Sequence, residues 1–140
     1  MAMVPAQHPL AQHTIIALAD LQPYPIALPT VDTTARRLFD ICCGVQGLEF
    51  SLVLESNYMA ALYRFVARQG GVSLSNAISN MGYLQGQQIV AIPITDEPMQ
   101  ARRIELQSMA GRTLPQAVSA FRDFLVGALQ GPENQMPVFE

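Results

Sequence analysis

Strand-like and helix-like segments alternate through the first two thirds of this chain, and that alternation restricts the fold more than any other feature. PIALP, Pro25 to Pro29, is a short apolar run bracketed by prolines, as a buried strand is. TTARRLFDICCGVQG follows, with Leu38, Phe39, Cys42 and Val45 at helical spacing and Gly47 as a stop. EFSLVLES, Glu49 to Ser56, alternates Phe50, Leu52 and Leu54 with Ser51, Val53 and Glu55, and it leads into NYMAALYRFVARQGG. There Tyr58, Leu62, Phe65 and Val66 share a face, and Gly70 and Gly71 end the helix. GVSL reads as a third strand, NAISNMGYLQG as an irregular helix, and QQIVAIPI, Gln87 to Ile94, as a fourth strand. Two consecutive βαβ units predict an α/β fold: a mainly parallel sheet with helices on both faces.

The last third poses a packing question. Thr113 and Gln116 stand at capping-box spacing, and Pro115 sits in a first turn, where its missing N–H is harmless. Leu114, Val118, Phe121, Leu125 and Leu129 then form one apolar stripe. The chain is nearly over when this stripe appears, so its partner is not obvious. TDEPMQ, Thr95 to Gln100, is polar and contains proline, and it reads as the linker between the sheet and this helix.

Composition narrows the function classes. With 140 residues and a hydrophobic fraction of 50%, the chain can build one sizeable core. No apolar run approaches the roughly 20 residues of a membrane span, and the start MAMVPAQHPL has no secretion-signal pattern, which points to the cytoplasm and away from membranes. The 8 basic residues are all arginines, scattered among 11 acidic ones, so no basic footprint for nucleic acid exists. Cys42 and Cys43 are adjacent, a spacing that suits neither a metal nor a disulfide framework, and they read as small apolar residues. His8 and His13 have no cysteine or paired carboxylate at ligand spacing beside them. With neither a G-x-S-x-G turn nor a glycine-rich phosphate loop, the chain reads as a binding module rather than an enzyme, with no metal and no cofactor.

The strand-to-helix junctions are the candidate site. In an open parallel sheet, ligands bind beyond the carboxyl ends of the strands, where helix N-termini present free N–H groups. The junctions here are all polar: Thr30, Asp32, Thr33 and Thr34, then Ser56 and Asn57, then Ser75 and Asn76. They are expected to converge on one rim. The same residue types also cap helices with no ligand present, at about 1 kcal/mol each, so both readings stay open on residue type alone.

In order along the chain, HPLA (His8 to Ala11), IALADLQPYPIALP, TARRLFD, LVLESNYMAALYRFVARQGGVSLSN, LQGQQIVAIPI and RRIELQSMAGRTLPQAVSAFRDFL resemble the C-terminal part of LysR-type transcriptional regulators. The resemblance runs from Val4 to about Leu129. It implies an effector-binding region folded like a type II periplasmic binding protein, in which two α/β subdomains joined by crossover strands hold a small effector in their cleft. About 11–94 would be the second subdomain and about 100–130 the returning strand and helix of the first. The rest of the first subdomain and a DNA-binding domain would precede residue 1, making the chain a truncated regulator that meets DNA only through the missing part. That would also answer the packing question, since the stripe belongs against the other subdomain. Thr33 and Thr34 match cleft-lining positions of the family, with Thr30 and Asp32 as neighbours. Ser75 and Asn76 stand where the family commonly has an apolar residue and proline, a departure that suits a more hydrophilic effector or a different cap. The resemblance further implies a homodimer or higher homo-oligomer, with the contact near the strand Arg102–Ser108 and the helix Leu114–Leu129. A free-standing solute-binding or small enzymatic α/β domain is the alternative reading.

Overall fold

The computed structural model describes residues 1–76, 88–100, 105–111 and 113–130, with Leu129 and Gln130 described by backbone alone. The chain divides into two units, Met1–Arg102 and Arg103–Glu140.

The first unit is built on five strands: β1 (Ala2–Pro5), β2 (Ile26–Pro29), β3 (Leu52–Ser56), β4 (Val72–Leu74) and β5 (Ile89–Ile92). Helix α1 (Thr34–Gln46) joins β2 to β3, α2 (Met59–Ala67) joins β3 to β4, and a short α3 (Glu97–Gln100) follows β5. The sheet order is β3-β2-β4-β1-β5. β2 pairs parallel with both β3 and β4, while β1 is antiparallel to β4 and β5. Four strands therefore run one way and β1 runs against them, which fits the expected mainly parallel sheet.

The two crossovers move in opposite directions along the sheet: β2 to β3 outward, then β3 back past β2 to β4. Right-handed connections of opposite direction put their helices on opposite faces. The packing follows. Ala2, Val4, Ile26, Leu28, Val72 and Leu74 cluster with Phe39 and Cys42 of α1. Met3 and Ile89 pack with Tyr63 and Val66 of α2. Along β1 the side chains alternate between these layers, and all four residues are buried. Helix α1 begins where Thr33 Oγ1 accepts the Arg36 N–H at 3.3 Å. It ends at Gly47, whose φ of 67° is the left-handed conformation glycine tolerates best. Beside it, Cys42 is buried, and burial, then the Asp40 carboxylate, pushes the Cys43 thiol up to about 11. Neither is a nucleophile at neutral pH.

Three sequence expectations need correction or completion. The first strand of the sheet is Ala2–Pro5, not Pro25–Pro29. AMVP is buried on both faces and too short to show a period. TDEPMQ is not a free linker. Thr95 N donates to Ile16 O at 2.9 Å, and the Asp96 carboxylate accepts from Leu18 N at 2.7 Å and from Gln46 Nε2. These bonds fasten the segment to the first unit, so the division falls at Arg102. Last, residues 77–86 of the expected irregular helix lie outside the described residues.

The HPLA segment folds as a 3-10 helix, Pro9–Gln12, with His8 as its cap: Nδ1 accepts the Leu10 N–H at 3.2 Å. The His8 ring also meets Tyr24 edge-on, with centroids 4.2 Å apart. Burial holds the imidazole below its ordinary pKa, and a protonated Nδ1 cannot accept the cap bond. A histidine depressed in the folded state contributes stability above its unfolded pKa of about 6.5 and loses it as pH falls through the folded value. Urea melts are therefore expected to weaken between pH 7.5 and 5.5, and to weaken less in His8→Asn, which caps without titrating.

In the second unit, α4 spans Gln116–Gln130, and its first helical bond runs from Ser119 N to Pro115 O at 3.0 Å. Of the expected stripe, Leu114 and Leu125 are half-buried and Val118 and Phe121 exposed, the latter at 64%; Phe124 beside them reaches 72%. Of the strand expected at Arg102–Ser108, residues 102–104 lie outside the described residues and 105–108 carry no regular structure. Among the described residues, no helix is long and apolar enough to cross a membrane, and no group of three or more His, Cys, Asp or Glu is placed to hold a metal ion.

Candidate functional site

Parallel pairing of β3, β2 and β4 sends their carboxyl ends to one edge of the sheet. Pro29 lies opposite Ser56, and Ala27 opposite Ser73. The three polar junctions, Thr30–Thr34, Ser56–Tyr58 and Ser75–Asn76, are thereby brought together. Because the crossovers leave β2 and β3 in opposite directions, this edge holds a topological switch point, the usual place for a ligand crevice.

The β2–α1 turn is tightly made. Thr33 Oγ1 donates to Thr30 O at 2.9 Å while accepting from Arg36 N, and Thr33 N also reaches Thr30 O at 3.0 Å. Thr34 is the first helical residue and is exposed, as are Val31 and Asp32. Thr30 Oγ1 is buried with no hydrogen-bond partner among the described residues. It still lies close enough to the Asp32 carboxyl to hold it below the usual carboxylate range, helped by the local backbone N–H and Arg37. Asp32 is thus an anion at neutral pH beside the α1 N-terminus.

At the other junctions the hydroxyls are engaged as well. Ser56 Oγ accepts from Tyr58 N at 3.1 Å. Ser75 is only 7% exposed, and its Oγ lies 3.2 Å from the Tyr63 hydroxyl and donates to Asn76 O at 3.3 Å. Its side chain is thus turned beneath α2, while Asn76 is half-buried. Arg36 is a residue the sequence reading did not single out. Its guanidinium reaches Pro29 O, Asp40 and Glu55, joining the turn to the ends of both strands. The available signal was its spacing four residues before Asp40 on one helix face.

The LysR substrate binding domain model matches residues 1–130. The chain belongs to this family. Among solved structures, the LysR-family domain is similar to the regulatory domain of CcmR from Synechocystis PCC6803 in complex with 2-PG, at TM-score 0.68 and 15% identity over 94% of this chain and 62% of that one. It is similar to the effector binding domain of QuiR in complex with shikimate, at TM-score 0.60 and 21% identity over 88% of this chain and 57% of the other. The BenM effector binding domain with its effector benzoate matches at TM-score 0.61 and 26% identity over 71% and 46%. The chain thus spans about three fifths or less of the length of these structures. No curated protein matches it. The mixed α/β sheet of the first unit is the architecture of this LysR family, and its polar carboxyl edge can hold a small polar molecule through hydroxyls and helix N–H groups.

Proposed function

We propose that this LysR-family domain senses a small-molecule effector for a transcriptional regulator. Occupancy of the carboxyl edge would be passed on as a change in subdomain geometry within a dimer. Thr33 and Thr34 contact the effector, Thr30 and Asp32 flank it, and Ser75 and Asn76 border it, Ser75 through its backbone because its hydroxyl faces Tyr63. The observation that carries the reading is the convergence of three polar junctions on the switch point of a LysR-family sheet. CcmR, QuiR and BenM, each solved in complex with a small molecule, support a small polar or anionic effector over a free-standing enzymatic domain. In this reading about 11–94 form the second subdomain, about 100–130 return to the first, and DNA is met in the cytoplasm through another domain. A thermal-shift panel of small carboxylates and polyols on the complete regulator tests it: at least one compound should raise the melting temperature in proportion to its logarithmic concentration. A flat response across such a panel would count against it.

The exposed apolar residues of α4 support the oligomer. Burying Val118, Phe121 and Phe124 is worth about 1.5 to 3 kcal/mol each, so a second copy of the chain is expected to cover them. Light scattering should return a mass of two chains or more, and Phe121→Ser with Phe124→Ser should reduce it to one. A single-chain mass for the unaltered chain at high micromolar concentration would refute the contact.

A further inference from the structure

We infer that Arg36 is the positioning residue of the proposed effector turn, the side chain that fixes Thr30–Thr34 against the carboxyl ends of β2 and β3. The inference rests on reading that turn as the effector site. The Arg36 side chain is only 13% exposed. Its Nη1 donates to Pro29 O at 3.2 Å, the last carbonyl before the turn, and to Glu55 Oε2 at 2.6 Å, one residue before the end of β3. Its Nε donates to Asp40 Oδ1 at 2.9 Å, one turn along α1. Its backbone N–H closes the far end of the turn on Thr33 Oγ1. One residue thus grips the turn before Thr30 and after Thr33.

Asp40 and Glu55 are themselves well exposed, and either pair alone would hold little. Three acceptors converging on one largely buried guanidinium are a different case, because the planar fork satisfies them together without further ordering. Two carboxylates already engage this cation, so it holds the turn rather than meeting the effector's own charge. An effector arriving at a turn fixed in advance loses less affinity to ordering it.

Amide hydrogen exchange by NMR on the labelled chain tests the inference. In Arg36→Lys and in Arg36→Ala, protection of the Thr33 and Arg37 amides, bonded to Thr30 O and Thr33 O, is expected to fall about tenfold. The Ile26 and Val72 amides, bonded to Ser51 O and Pro25 O at the opposite end of the strands, should keep theirs. Lysine is the deciding variant, because it matches arginine in helix propensity and in its apolar stem but lacks the fork. Wild-type protection in Arg36→Lys would reduce Arg36 to packing and overturn the inference, as would an equal loss at all four amides. If Arg36→Ala does not fold, Glu55→Gln should produce a smaller loss at the same two amides, and no loss there would again overturn it. The thermal-shift panel reads effector binding separately, so the clamp and the effector reading can fail independently.

Discussion

Replacing Gly71 by alanine is expected to remove about 3 kcal/mol of stability, a large part of the roughly 5 to 15 kcal/mol typical of a domain. Gly71 has φ 142°, a conformation side chains rarely adopt, and a Cβ there would run into the Pro25 carbonyl oxygen and sit 2.9 Å from its carbon. That carbonyl cannot easily move aside. It accepts the Val72 N–H at 2.9 Å, and Val72 in turn is in register with Ile26 at the start of the β2–β4 ladder. Relieving the overlap would therefore separate the two central strands whose ends carry the candidate site. Gly44→Ala is the control: nothing lies within 4 Å of its Cβ position inside α1, so it should gain about 0.5 to 1 kcal/mol. Urea denaturation of both variants checks the pair, and a Gly71→Ala midpoint equal to wild type would contradict the packing of β4 against Pro25.

The second large effect is on binding rather than folding. In the complete regulator, Thr33→Ala and Thr34→Ala should each weaken effector binding about tenfold or more, the loss of roughly one hydrogen bond to a buried or charged group. Stability should change by no more than about 1 kcal/mol, the usual worth of a cap. Thr33→Ser keeps the hydroxyl that bonds Thr30 O and Arg36 N, and it should retain most of the affinity. Calorimetric titration separates the outcomes. Unchanged affinity in both alanine variants would remove these residues from the site, and a collapse of stability would make their role structural.

How far the sequence carries depends on how local the deciding interactions are. β2 and α1 were legible because prolines bracket one, while Thr33 and Gly47 bound the other, all signals within a few residues. The polar junctions were legible for the same reason, and a βαβ order is enough to place them on one edge. Strand β1 was not, since four residues buried on both faces leave no alternation to read and the partners Leu74 and Ile92 lie far along the chain. Asp96 misled in the same way. By composition its segment is a linker, but the donors that fasten its carboxylate, Leu18 N and Gln46 Nε2, are 78 and 50 residues away. Ser75 looked like a rim hydroxyl, and only the packing of α2 over β4 decides that it faces Tyr63. Arg36 was hidden because its role depends on Glu55, brought near by the β2–β3 pairing. The periodicity of α4, by contrast, was legible from spacing alone, and two residues of its stripe, Val118 and Phe121, are exposed.

Native mass spectrometry of the complete regulator tests the effector reading most directly. A small molecule should be retained by the folded protein, released on unfolding, and depleted in Thr33→Ala and Thr34→Ala prepared in parallel with stability intact. A small molecule retained equally by wild type and both variants would contradict the assignment of the β2–α1 turn. A regulator that holds none, and takes up none from the panel of carboxylates and polyols, would contradict effector sensing itself.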